Sequence, residues 1–336
     1  MKALRLHGAG DLRLADEADP VPGPGEALVR VTAVGICGSD LHWYDESGIG
    51  DAVLTRPLVL GHEAAGVIAS GARTGQRVAI DPSVPCGACE TCARGHQHLC
   101  PTVRFLGHST TDGAMRELIA WPLANLVTLP AAIDDAAGAM LEPLGVAIHA
   151  MRLARVRPGD TVGVFGCGPI GLLLIQLARA AGATTIVATD RLPHRVAAAA
   201  DLGAIAALVD GGAERDVLLR ATGGRGVDAA IEIAGDDDAI DAAIALARPA
   251  ATVVVAGIPA GDGSTITASV ARRKGLDLRF SRRMVRTYPQ AIALVEAGRV
   301  NVGAVVSHRF ALPDFDAAFR TAVRREGNKV IVTPGR

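Results

Sequence analysis

Cys86, Cys89, Cys92 and Cys100 form a Cys-x2-Cys-x2-Cys-x7-Cys run, and four thiols within fifteen residues restrict the chain more than any other feature. Thiolates at this spacing can close a tetrahedral shell around one zinc ion. Pro85, Gly87, Ala88 and Gly95 are small or turn-forming, so the loop can fold back on a metal. The rival reading, a disulfide framework, needs an oxidising compartment. Met1-Lys2-Ala3-Leu4 runs straight into strand-like alternation, without the apolar stretch and small-residue cleavage site of an export signal. A cytoplasmic setting is therefore expected, where clustered cysteines bind metal more often than they bridge. A closed shell of four sulfurs leaves no open position for substrate, so this zinc is structural and holds a lobe at 84–101. The chemistry must lie elsewhere.

Bulk properties narrow the field. A chain of 336 residues can hold two domains of about 150 each. Lys and Arg number 34 against 35 Asp and Glu, with no block of five like charges, which argues against a nucleic-acid partner. The longest apolar stretches fall short of the roughly 18 residues a membrane span needs. Hydrophobic content is 49% but aromatics only 3%, so the core must be aliphatic.

The first third reads as strands and loops, with strands at 26–34, 66–70 and 76–80 between Pro and Gly clusters. A helix is predicted over 136–154, kinked at Pro143. From Thr161 onward short apolar strands (161–165, 185–189, 207–209, 229–233, 252–256 and 276–281) alternate with alanine-rich helical patterns, the signature of a parallel α/β sheet. A helix at 288–297, a strand at 305–310, a helix at 313–324 and a strand at 329–333 close the chain and are expected to rejoin the first domain. Asp236, Asp237 and Asp238 read as a helix N-cap and first turn.

Gly166-Cys167-Gly168-Pro169-Ile170-Gly171 follows one of these strands and opens a helix. Gly-x-Gly-x-x-Gly alone is weak evidence, but a strand before and a helix after make it a dinucleotide loop. Gly166 permits the turn, Gly168 lets backbone approach a pyrophosphate, and Gly171 lets helix pack on strand. The N-terminus of the helix that Pro169 and Ile170 open supplies free N–H groups, the proline itself excepted, and positive dipole. Asp190, nineteen residues past Gly171, ends the next strand, where a carboxylate accepts from ribose hydroxyls and repels a 2′-phosphate. This selects NAD over NADP, although Arg191 and Arg195 offer guanidinium groups that could hold that phosphate. Cys167 reads as a small residue of the loop, whose helix-start location could make it reactive.

Two further segments carry candidate chemistry, Gly35-Ile36-Cys37-Gly38-Ser39-Asp40-Leu41-His42 and Gly61-His62-Glu63. Cys37 and His62 offer one sulfur and one imidazole, a mixed pair suited to a zinc with an open position. Glu63 and Glu142 offer carboxylates to complete it. An acidic residue in the apolar pattern around Glu142 would be unfavourable without a metal or a donor.

At this point the chain resembles the zinc-dependent medium-chain dehydrogenase/reductase superfamily, and within it the sorbitol and xylitol (polyol) dehydrogenase branch. The likeness covers essentially the whole chain. It rests on the two segments above, the four-cysteine lobe, Leu141-Glu142-Pro143-Leu144, the glycine loop, Thr287-Tyr288-Pro289 and Ser307-His308-Arg309-Phe310. It implies an α/β protein with a β-rich GroES-like catalytic domain (1–147 and 282–336) and a Rossmann doubly wound parallel sheet that binds NAD (148–281). It also implies two zinc ions per chain, one catalytic and one structural. Cys37, His62 and Glu63 would ligate the catalytic ion, and Glu142 would be either a partner of its water or an alternating ligand.

The resemblance carries further roles residue by residue. Ser39 matches the hydroxyl that takes the substrate proton, His42 the imidazole that hands it to solvent, and Asp40 the carboxylate that orients the metal-binding histidine. Arg283, in Arg282-Arg283-Met284, matches a substrate-facing arginine. Met284 and Trp43 each replace a family tyrosine, which leaves the identity of the polyol open. The implied activity is oxidation of a secondary alcohol of a polyol or sugar derivative to a ketone by hydride transfer to NAD. Alternatives are the same fold acting on L-idonate, threonine or a simple secondary alcohol, and a non-catalytic NAD(H)-binding sensor. A homotetramer, or else a homodimer, is expected to pair through the strand near 276–281.

Overall fold

The computed structural model describes residues 1–71, 73–261 and 263–335. They form two compact units. The first comprises Met1–Pro143, Tyr288–Glu296 and Val302–Arg336, the second Leu144–Thr287 and Ala297–Asn301.

The first unit is built on a seven-stranded sheet. Leu126–Thr128, Arg77–Ile80, Glu63–Ser70, Glu26–Gly35, Lys329–Thr333 and Val306–Ala311 lie in that order, and Leu118–Pro122 also pairs with Glu26–Gly35. In that central strand Ala27, Val29 and Val31 are buried while Arg30 between them is exposed, the period-2 alternation of a half-buried strand. At its end Ala33, Val34 and Gly35 are all buried, so the strand runs into the interior and delivers Cys37 there. Lys329–Thr333 lies antiparallel to it, with Ile331 opposite Gly35 and Val332 opposite Val34. The core is aliphatic. Leu4, Leu6, Leu58, Leu60, Ile68, Ile80 and Ile119 are fully buried with Trp43 and Phe319, and each such side chain contributes about 1.5–3 kcal/mol.

The second unit is a six-stranded parallel sheet in the order Ile205–Leu208, Thr185–Asp190, Thr161–Phe165, Val227–Glu232, Ala247–Val255 and Asp277–Phe280. This is the 3-2-1-4-5-6 arrangement of the Rossmann fold, whose order reverses beside Thr161–Phe165. The helix Asp237–Leu246 starts as predicted, with the Asp236 carboxylate accepting from Ala239 N at 2.9 Å.

Three expectations need correction. The helix predicted over 136–154 is two, Asp135–Ala139 and Leu141–Ala154. Pro143 sits in the first turn of the second, where a missing N–H leaves no bond unmade, so it marks a fresh start instead of a kink. Residues 144–147, 282–287 and 297–301, expected with the first unit, belong to the second. The final helix is shorter than predicted, because Leu312–Asp314 form a 3-10 turn before Phe315–Val323.

Candidate active site

Cys37 caps the N-terminus of the helix Gly38–Glu46, and His62 and Glu63 enter on the strand Glu63–Ser70 and the turn before it. One sulfur, one imidazole nitrogen and one carboxylate oxygen from these residues all lie within 4.8 Å of one another. Tetrahedral ligands at zinc–ligand distances of 2.0–2.3 Å stand about 3.3–3.8 Å apart, so the trio fits one zinc ion with small side-chain adjustment. Asp40 ties the two segments together. It is fully buried; one oxygen accepts from Cys37 N at 2.9 Å, and the other accepts from Gly61 N at 3.1 Å and lies 3.6 Å from His62 Nδ1. Ser39 Oγ is 3.5 Å from the opposite ring nitrogen, His62 Nε2.

The field around this trio attracts positive charge. Burial works against a charged His62, yet its interactions with Asp40 and Cys37 lift its pKa well above the ordinary imidazole range. Lys329 shows the same balance, with burial opposing and Glu63 outweighing it, so its pKa rises. Lys329 is 2% exposed, and its ammonium donates to both Glu63 oxygens at 2.8 and 2.6 Å and to Ile36 O at 3.0 Å. The sequence reading missed it. The signal was a lysine opening an otherwise apolar strand, Lys-Val-Ile-Val-Thr.

Glu142 is buried in the first turn of Leu141–Ala154, but it is not part of the group whose donor atoms share a 4.8 Å cluster. Burial pushes its pKa up to about 7, and the Glu63 charge adds to the rise while His62 opposes it. His42 lies half-buried on the same helix as Ser39, with Nδ1 3.1 Å from Glu46 Oε1. Trp43, expected to face the substrate, is 1% exposed and packed in the aliphatic core. Its indole meets the His108 ring edge-on at 5.6 Å; His108 meets Phe105 at 6.4 Å, and Phe105 meets His62 at 5.4 Å. Phe105 and His108 had no signature in the sequence, since Phe105 sits in the two-residue strand Arg104–Phe105 and His108 in a single bridge with Thr111, both too short to show a periodic pattern. Arg283 and Met284 lie in the second unit. Arg283 is half-buried with φ +55°, and Met284 is buried, with its sulfur accepting from Thr287 Oγ1 at 3.1 Å.

In the lobe, the sulfurs of Cys86, Cys89, Cys92 and Cys100 also lie within 4.8 Å of one another. Cys89 and Cys100 are 3.9 Å apart, too long for a disulfide and close to the edge of about 3.8 Å expected for four sulfurs around zinc. Backbone N–H groups already point at thiolates, from Cys89 to Cys86 Sγ and from Cys86 to Cys100 Sγ, each at 3.4 Å. Hydrogen bonds from Ala88 and Cys89 N–H pull the Cys86 pKa down to about 6. The donor set fits a closed zinc site.

The glycine loop belongs to the second unit. Gly166 has φ +105°, and Gly168 is the N-cap of Pro169–Ala180 with Pro169 and Ile170 in its first turn. A Cβ on Gly171 would run into the Gly166 carbonyl, whereas one on Gly168 would meet only the Arg195 guanidinium at 3.6 Å. The first needs glycine for the fold; the second leaves open space in front of the helix N-terminus. Asp190 ends its strand with one oxygen accepting from Cys167 N at 2.7 Å and the other from Leu192 N at 2.9 Å. Arg191 turns to Asp236 and Asp238, at 3.4 and 3.2 Å. Cys167 is fully buried, and burial pushes its thiol up to about 12, so it is a small core residue and not a reactive one. Glu232, which the sequence reading missed, is fully buried at the end of its strand and accepts from Ala234, Gly235 and Gly257 N–H groups. It organises the chain next to the glycine loop.

Residues 23–131 match the alcohol dehydrogenase GroES-like domain, and residues 169–297 match the zinc-binding dehydrogenase family. Sorbitol dehydrogenase from Bacillus subtilis is 35% identical over 100% of this chain and 98% of its own. The structure of an alcohol dehydrogenase (rspB) from E. coli CFT073, complexed with NADH, is 29% identical with a TM-score of 0.91 and covers 99% of both chains. That of L-idonate 5-dehydrogenase from Escherichia coli is 28% identical with a TM-score of 0.88, over 99% of this chain and 97% of the other. The chain belongs to the zinc-dependent medium-chain dehydrogenase/reductase superfamily, as an alcohol/polyol dehydrogenase of its sorbitol and xylitol dehydrogenase branch.

Proposed function

We propose that this enzyme oxidises a secondary alcohol of a polyol or sugar derivative to a ketone and passes the hydride to NAD. The observation that carries the reading is the cluster of half-buried Cys37 with buried His62 and Glu63, on the segments that also carry Ser39 and His42. When bound, zinc at this cluster would polarise the substrate hydroxyl and NAD would accept the hydride. Cys37, His62 and Glu63 hold that zinc, and Asp40 fixes the imidazole. Ser39 takes the hydroxyl proton, and His42, one helical turn on, hands it to solvent. Glu142, with its raised pKa, acts beside the metal. Cys86, Cys89, Cys92 and Cys100 hold a second, structural zinc.

In this reading the first unit is catalytic and the second binds the cofactor. Gly166, Gly168, Pro169, Ile170 and Gly171 cradle the pyrophosphate. Asp190 selects NAD over NADP, helped by the pairing of Arg191 with Asp236 and Asp238, which occupies a guanidinium that could otherwise hold a 2′-phosphate. Arg195, beside Gly168, is suited to the pyrophosphate. Phe280 is 78% exposed on the edge strand Asp277–Phe280, which supports pairing of two copies through that edge, as one contact of a homotetramer. No helix among the described residues is long and apolar enough to cross a membrane.

The sorbitol dehydrogenase relative favours a polyol, and the L-idonate 5-dehydrogenase structure favours a sugar acid as the second reading. A metal count with an NAD-coupled screen of polyols and sugar acids tests both. Two zinc ions per chain and turnover on one stereochemical series are expected. NADH binding without turnover on any of them would favour the sensor. Retained turnover in a zinc-depleted Cys37→Ser variant would overturn the metal assignment.

A further inference from the structure

Glu63 is gripped more tightly than a simple metal ligand needs to be. Its carboxylate is 1% exposed, and both oxygens accept from the Lys329 ammonium. The same ammonium donates to Ile36 O, one residue before Cys37, so a single cation braces both segments that carry the donor trio. Space for this arrangement comes from Gly35, which lies directly opposite Glu63 in the antiparallel register. A Cβ on Gly35 would collide with Glu63 Oε2. The backbone of Gly35 is not left-handed, so room for the carboxylate is what the absent side chain provides.

Electrostatics decides what the arrangement does. A carboxylate matched by an ammonium at 2.6 Å donates less to a second cation, and the ammonium itself repels that cation. Each carboxylate oxygen still has a second lone pair, so Glu63 is weakened as a donor but not blocked. We propose that Gly35 and Lys329 are positioning residues that keep Glu63 a weak, exchangeable metal ligand. This rests on reading Cys37, His62 and Glu63 as one zinc site. A weak third ligand leaves the site more electron-poor, and therefore more strongly polarising toward an incoming hydroxyl. A purely structural brace predicts the reverse effect on binding, because its loss would leave Glu63 unheld and the metal more loosely bound.

The test uses the full-length enzyme, stripped of zinc and reloaded with zinc or cobalt. Gly35→Ala clashes with the flexible end of Glu63 and presses on its Cδ and Cβ at 3.2 and 3.3 Å, so it unseats the carboxylate with shifts of a few tenths of an ångström nearby. Gly35→Ala and Lys329→Met should each bind zinc about tenfold tighter in chelator competition, because the competing ammonium no longer holds the carboxylate, and shift the cobalt absorption bands in the same sense. Lys329→Arg should stay near wild type. In a Glu63→Gln background, Lys329→Met should change neither readout. Unchanged or weaker zinc binding in Gly35→Ala overturns the proposal, whatever the folding of Lys329→Met. Failure of the wild-type protein to take up a second zinc would instead overturn the zinc reading beneath it.

Discussion

Asp40 and His62 face each other across 3.6 Å, and the same carboxylate accepts from Cys37 N and Gly61 N. One buried side chain thus sets the tilt of the imidazole and the spacing of the two segments that carry sulfur and nitrogen donors. Asp40→Ala should lower zinc affinity at this centre by about 10–100-fold, the usual effect of losing a group that orients a metal ligand. The zinc of the cysteine lobe should stay. Metal analysis after graded chelation reads both ions, and wild-type retention of both would refute the role.

The cysteine lobe makes a separate prediction. With Cys89 and Cys100 already at 3.9 Å, Cys100→Ser removes one corner of a preformed tetrahedron. One zinc ion per chain should disappear, and thermal stability should drop, because a structural zinc contributes folding free energy directly. NADH binding should persist, since the glycine loop belongs to the other unit. Loss of NADH binding alongside the zinc would contradict this separation.

Two glycines of the dinucleotide loop should respond differently to the same change. Gly168→Ala meets no backbone within the protein, so thermal stability should hold while NADH affinity falls by about tenfold or more. Gly171→Ala collides with the Gly166 carbonyl and should destabilise the second unit by about 1–3 kcal/mol. Calorimetry and fluorescence titration of NADH separate the two effects. Equal loss of stability in both variants would mean that Gly168 is a fold residue too.

Asp81 links stability to pH. Burial pushes its pKa up to about 6, against a single opposing hydrogen bond from Ser83 N–H at 3.0 Å. The unfolded chain releases this proton near pH 4 and the folded chain near pH 6, so stability falls as pH rises through that window and is level above it. Asp81→Asn keeps the acceptor and removes the charge. It should be more stable than wild type at pH 8 by about 2 kcal/mol, after allowing for the partial exposure of the site, with about half that gain at pH 5. Urea midpoints at the two values measure the difference. An advantage that does not change with pH would assign it to packing.

Local features of this protein could be read directly from the chain. The cysteine spacing, the strand–glycine loop–helix unit and the Asp236 cap each act within a short stretch of backbone, so their geometry follows from residue type and interval. The strand Lys329–Thr333 could be read to the residue for the same reason. What that strand does could not. Lys329 reaches Glu63 across 266 positions of sequence, and only the antiparallel register that sets Ile331 opposite Gly35 brings the two charges together. Tertiary packing likewise put Phe105 and His108 between Trp43 and His62 and kept Glu142 outside the donor cluster. Pairwise chemistry between distant residues depends on which strands become neighbours, and that is decided when the whole core closes.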